Sequence, residues 1–249
     1  MKRFFAIGAL LFLLLAAYIS YAVVTVPDVQ ELKRTNPTTT ALMTQRGREN
    51  NRPVKPLRAW VGYNTISPHL RNAVLVAEDG AFFQHSGYDM TQIKESVKKN
   101  INERRFARGA STITQQLAKN LYLSTSKNPL RKIQEFLIAQ ELERYLTKQR
   151  IFEIYLNVIE WGDGIYGIQA ASQTYFGKPS SELLPEEGAV LAAMIPNPRR
   201  YTPARNGKFL EKRKNELLRR LNAYRFLPLE EYEAAKVRPI VYRQASATP

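Results

Sequence analysis

The sequence predicts a mainly α-helical fold preceded by one N-terminal transmembrane helix. Three observations predict it. Phe4 to Val24 is an uncharged apolar run of 21 residues, enough to cross a hydrocarbon core of roughly 30 Å. Helix start and stop signals recur from Ser67 onwards. No alternating apolar–polar run is long or regular enough to demand a large sheet, and no solenoid repeat is present.

Taken in order, Lys2 and Arg3 precede the apolar run, so the positive-inside tendency keeps that end cytoplasmic and exports the rest. Two readings of the run stand: an uncleaved anchor continuing through Val23 and Val24, or a signal peptide cut near Ser20-Tyr21-Ala22. Residues 25–59 are polar, basic and proline-containing, with a threonine run at 38–40, and read as a juxtamembrane connector. Ser67-Pro68 opens a helix with Leu70, Ala73, Val74 and Ala77 at helical spacing. Asn128-Pro129 opens another, whose apolar side is expected to be Ile133, Phe136, Leu137, Leu142, Tyr145 and Leu146, with a break at Thr147. Trp161-Gly162-Asp163-Gly164 is a turn, and Gly177 suits a left-handed C-cap after Phe176. Glu186 to Ile195 is a hydrophobic helix stopped by Pro196 and Pro198. Arg199 to Arg225 is basic and amphipathic, with ten basic residues and two acidic ones. The resulting division is 1–24 anchor and cytoplasmic tip, 25–59 connector, 60–225 catalytic domain and 226–249 C-terminal extension.

The formal net charge of +15 calls for an anionic partner. Export makes nucleic acid an awkward one and a phosphorylated membrane substrate a natural one. The absence of cysteine excludes disulfides, thiol catalysis and cysteine-bound zinc. Two histidines without an HExxH pattern argue against a zinc hydrolase.

Three segments hold residues that can carry chemistry. In Ala77 to Asp89, Glu78 follows an apolar stripe and precedes two phenylalanines; such surroundings raise a carboxyl pKa towards the range of a general base. The competing reading is an ordinary acid at a helix end. In Gly109 to Asn120, Thr112 and Gln115 have capping-box spacing, and the helix start is equally suited to a phosphate cradle or a plain cap. Arg131 and Glu135, one turn apart, read as a surface ion pair or as a carboxylate among cations that grip a pyrophosphate.

Together and in this order, the segments resemble the glycosyltransferase domain of peptidoglycan polymerases, glycosyltransferase family 51. Glu78-Asp79, Phe82, His85, Gly87 and Asp89 match EDxxFxxHxGxD, and Gly109 to Asn120 match GxSTxTQQLxKN. Arg131-Lys132 with Glu135 match RKxxE, and Lys148 to Asn157 match KxxIxExYLN. Tyr175 to Lys178 and Pro196-Asn197-Pro198 with Tyr201 and Pro203 fit later blocks; Glu160 to Gly164 looks most like the monofunctional biosynthetic transglycosylases. Two departures stand out: Lys127 where the family has arginine, which gives up a bidentate fork, and Ala110 for a common glycine.

The resemblance implies a lysozyme-like helical domain that polymerises lipid II onto a growing lipid-linked glycan. A single inverting displacement would form a β-1,4 link and release polyprenyl pyrophosphate. Glu78 is the implied general base and Glu135 the second catalytic carboxylate. Asp79, Phe82, His85, Ser111, Thr112, Gln115, Gln116 and Asn120 would shape the substrate contacts; Lys119, Lys127, Arg131 and Lys132 would receive the pyrophosphate charge. No organic cofactor and no protein-built metal site is implied, though a divalent cation such as Mg at Glu135 is compatible with the pattern. The implied setting is the bacterial inner membrane, single-pass, with the catalytic domain on the periplasmic side, beside membrane lipid and other cell-wall synthesis proteins. Rival readings are a lytic glycan-cleaving enzyme, a basic membrane scaffold, and a transpeptidase suggested by SxxK at Ser96–Lys99 and Ser124–Lys127. No KTG follows either SxxK.

Overall fold

The computed structural model describes residues 2–55, 57, 59–91, 93–96, 111–123 and 131–243. Helix α1 (Lys2–Val24) leaves Phe4, Leu10, Phe12 and Leu14 outward and buries Ala22 where it meets the domain. It is long and apolar enough to cross a membrane. Next come α2 (Ala41–Glu49), α3 (Pro68–Glu78), α4 (Ile113–Tyr122), α5 (Arg131–Tyr145) and α6 (Lys148–Val158). A short hairpin of β1 (Glu160–Gly162) and β2 (Ile165–Tyr166) leads to α7 (Ile168–Phe176), α8 (Pro185–Met194), α9 (Pro203–Ala223) and α10 (Leu229–Val237). The fold is mainly α, as the start and stop signals predict.

Helix α8 is buried on every side, which is the mark of a central core helix. It packs on α3 and α9, while α4 packs on α5 and α6. Helix α8 lies tight against α3 at Gly188, where a Cβ would stand 3.0 Å from both the N and Cα of Leu70. Backbone cannot retreat as a flexible side chain can. Gly188→Ala is therefore expected to cost about 1–3 kcal/mol by overpacking. The check is thermal unfolding, where each kcal/mol lowers the midpoint by about 2–4 °C in a chain of this size.

Local chemistry explains most boundaries. Thr147 caps α6 by accepting from the Arg150 amide at 3.2 Å, which places the expected break. Gly177 ends α7 at φ 71°, in the left-handed region. Ser67 holds the N-cap position of α3, but its hydroxyl donates to the Leu183 carbonyl at 2.7 Å and ties the helix start to the α8 approach. The connector contains a helix that its polar composition hides: Thr40 caps α2, which buries Leu42 and Met43 and packs against α4. The inward face of α5 also differs from expectation. Glu135, Ile138, Ala139 and Leu142 are buried, whereas Phe136 is exposed and meets Tyr88. The expected start at Asn128-Pro129 and both SxxK matches run outside the described residues.

Candidate active site

The C-terminus of α3 delivers Glu78 and Asp79 to the N-terminus of α4. Asp79, 1% exposed, accepts the Ile113 amide at 3.0 Å, so it neutralises a first-turn donor that the helix itself leaves unpaired. His85 Nε2 holds the same carboxylate at 3.0 and 3.1 Å. Thr112 accepts the Gln115 amide at 3.2 Å, Gln115 Oε1 accepts the Thr112 amide at 3.3 Å, and the Thr112 hydroxyl donates to the Gly87 carbonyl at 2.8 Å. Gly87 has φ +85°, and a Cβ there would press on Gln140 at 2.9 Å, so the motif requires glycine. Thus Asp79, His85, Thr112 and Gln115 form a joint that fixes the start of α4 to the end of α3. Of the two local readings of Thr112 and Gln115, the capping box is formed.

Phe82 is wholly buried against Phe152 at 5.6 Å between ring centres, with the Lys148 ammonium 4.3 Å from its ring centre. Lys148 also donates to Glu143 at 2.6 Å, and Thr114 donates to the same oxygen at 2.5 Å. Phe82 therefore belongs to the packed core rather than to an open face of the site. Asn120 is buried on α4.

Glu78 itself is only partly covered. Gln116 Nε2 donates to its Oε2 at 2.8 Å. Burial raises its pKa; the Gln116 hydrogen bond and the charges of Arg213 and Lys119 oppose this, while neighbouring Asp79 adds to it. A base must be ionised to accept a proton. With Glu78 as the base that the resemblance implies, the rate is expected to fall on acidification through a limb above the ordinary glutamate value of about 4.3. A pH–rate profile at saturating substrate checks it.

One turn further along α4, Lys119 faces a second cluster. Glu135 on α5, 3% exposed, accepts from Arg131 at 2.8 Å and from Lys132, while Lys132 Nζ also donates to Ser111 Oγ at 3.0 Å. Burial lowers the Lys119 pKa first, and Arg131 and Lys132 lower it further, while Glu135 and Glu78 raise it. Three cations thus gather beside one buried carboxylate, and Lys119 among them also acts on Glu78. The Glu135 oxygens already face cations, Arg131 on one and Lys132 on the other. Lys127 lies outside the described residues.

Sequence reasoning missed two residues that the fold brings here. Tyr155 on α6 donates its hydroxyl to Gln116 Oε1 at 2.9 Å. It stood within the KxxIxExYLN block, as a hydroxyl-bearing residue on an otherwise apolar helix face. Arg213 comes from the basic helix α9 and belongs to no block; nothing local marked it. The same α6 block has a second polar face, where Glu153 accepts from the Trp60 indole at 3.2 Å and the Tyr63 amide at 2.8 Å. Asn157 binds the Val61 amide and carbonyl at 3.0 and 2.8 Å.

The family model that matches is Transglycosylase, over residues 46–222, more than half of the chain. The chain belongs to the transglycosylase family. It is a glycosyltransferase. Two proteins named biosynthetic peptidoglycan transglycosylase illustrate the similarity. The one from Nitrosomonas eutropha is 49% identical over 189 residues, 75% of this chain and 78% of that protein. The one from Laribacter hongkongensis is 43% identical over 212 residues, 84% of this chain and 93% of that protein. Among solved structures, penicillin-binding protein 1A from Haemophilus influenzae is 34% identical with a TM-score of 0.37, covering 53% of this chain and 16% of that one. In this transglycosylase, the joint around Asp79 fixes Glu78 and the α4 start, and the Glu135 cluster lies along the same helix.

Proposed function

We propose that this transglycosylase is a peptidoglycan glycosyltransferase that polymerises lipid II, with Glu78 as general base. One observation carries the reading: a partly covered glutamate held by a single amide shares Lys119 with a cluster in which Arg131 and Lys132 gather on a buried carboxylate. A departing pyrophosphate leaves as a stable anion and needs cations more than a proton. That distinguishes the site from a glycosidase, which places a second carboxylic acid at the leaving oxygen.

In the reaction, Glu78 takes the proton from the 4-hydroxyl of the lipid II acceptor as that oxygen attacks the anomeric carbon of the donor glycan. The bond from that carbon to the pyrophosphate oxygen breaks with its electron pair, and polyprenyl pyrophosphate leaves towards Lys119, Arg131 and Lys132. Glu135 orients these cations. Ser111, bonded to Lys132, stands at the rim of the same cluster, and Gln116 holds the base. These cations carry the developing charge.

The apolar helix α1 supports a single-pass anchor, Lys2 and Arg3 before it support an outer catalytic domain, and the +15 charge suits anionic lipid-linked substrates. Membrane-bound protein would meet both lipid-linked substrates in two dimensions. The test is incubation of purified full-length protein with labelled lipid II in liposomes. Glycan polymer is the expected product. Degradation of finished glycan with lipid II untouched would instead establish the lytic reading.

A further inference from the structure

Gln116 is an amide whose two ends have nearly the same shape and opposite hydrogen-bonding character. Its NH2 end faces Glu78, since an ionised carboxylate can only accept, and this leaves Oε1 facing the Tyr155 hydroxyl at 2.9 Å. Nε2 also lies 3.4 Å from the Ser111 carbonyl. Tyr155 is 0% exposed, sandwiched against Phe152, and its pKa is held well above the ordinary tyrosine range, first by burial and then by the charges of Glu78 and Asp79. The phenol therefore stays protonated and keeps donating.

We propose that Tyr155 is a positioning residue that acts through Gln116 to keep Glu78 in its proton-accepting form. A neutral Glu78 carries an O–H that needs an acceptor, and Gln116 can supply one only by turning its carbonyl over. That turn removes the acceptor from the Tyr155 hydroxyl in a buried place. Tyr155 thus penalises the amide orientation that suits protonated Glu78 and favours the one that suits the carboxylate. The other charged groups acting on Glu78 are Lys119 from α4, Arg213 from α9 and Asp79 from its own segment; the Tyr155→Phe substitution leaves all three in place. The inference rests on the reading of Glu78 as base only for its consequence in turnover. The hydrogen-bond relay itself is independent of it.

Two readouts separate these claims. The first is the protonation of Glu78 followed by its carboxyl infrared band, taken as the difference between protein with and without Glu78→Gln. The second is the pH–rate profile of lipid II polymerisation. In full-length Tyr155→Phe, the Glu78 band is expected to titrate about one pH unit higher, the size of one net hydrogen bond. The acidic limb should follow it: about tenfold slower turnover below the wild-type midpoint, and turnover within about threefold of wild type on the plateau. In a Gln116→Met background, Tyr155→Phe should shift the band no further, because the relay is already cut. If Tyr155→Phe does not fold, Gln116→Met alone carries the test and should raise the Glu78 titration. A band that does not move in the folded variant overturns the relay, as does an equal loss of rate at every pH. A band that moves while the limb stays in place leaves the relay standing and removes Glu78 as base.

Discussion

Glu78→Gln is expected to lower lipid II polymerisation by about 10²–10⁴-fold, the range contributed by a positioned general base. The substitution keeps the volume and an oxygen that can accept from Gln116, so it removes the base without removing the contact. Stability should move in the opposite direction. The folded-state pKa of Glu78 is raised by burial, so its contribution to stability is fully present below the unfolded value of about 4.3 and is lost as pH rises through the folded value. At neutral pH the ionised side chain is a net cost, and neutral glutamine relieves it. Thermal unfolding should therefore show Glu78→Gln equal to or above wild type at pH 7. The gap should close as the pH is lowered through that window.

Glu135→Gln is expected to have the second-largest effect, about 10²-fold on kcat with the fold retained, comparable to loss of one preorganised charge-stabilising group. A buried carboxylate that accepts from Arg131 and Lys132 sets the direction in which both cations point and offsets the charge around Lys119. Glutamine keeps one acceptor and contributes no charge. Losing one partner of a fully buried pair costs about 3–5 kcal/mol. The cost here should be smaller, because the Lys132 side chain is 49% exposed and that of Arg131 20%, and both can turn to water. Kinetics of the purified variant, set beside its unfolding curve, separate the two effects.

How much of this was legible in the sequence depends on whether the cause was local. The caps were legible because each is made within a few residues: Thr112 with Gln115, Thr147 with Arg150, and Gly177 with its own φ. The α5 face departs from the periodicity because periodicity ranks apolar residues inward. It cannot see that a carboxylate, Glu135, takes the central inward place while Phe136 turns out to Tyr88. Helix α2 reads as connector in the sequence because only Leu42 and Met43 anchor it. Glu78 was readable as an acid near apolar residues, and the ordered blocks raised it to a candidate base. Nothing in the sequence marks Arg213 as a member of the site, and Tyr155 is marked only as a hydroxyl on an apolar helix face within a block. Each reaches it from another helix, and only packing of α6 and α9 beside α3 and α4 brings them there.

The most direct test of the account is the polyprenyl pyrophosphate released from labelled lipid II by wild type and by Glu78→Gln, both verified as folded. The account predicts one pyrophosphate per new glycosidic bond in wild type, and next to none from the variant. Glycan bonds formed at the wild-type rate by Glu78→Gln, or glycan turnover without pyrophosphate release, would contradict it.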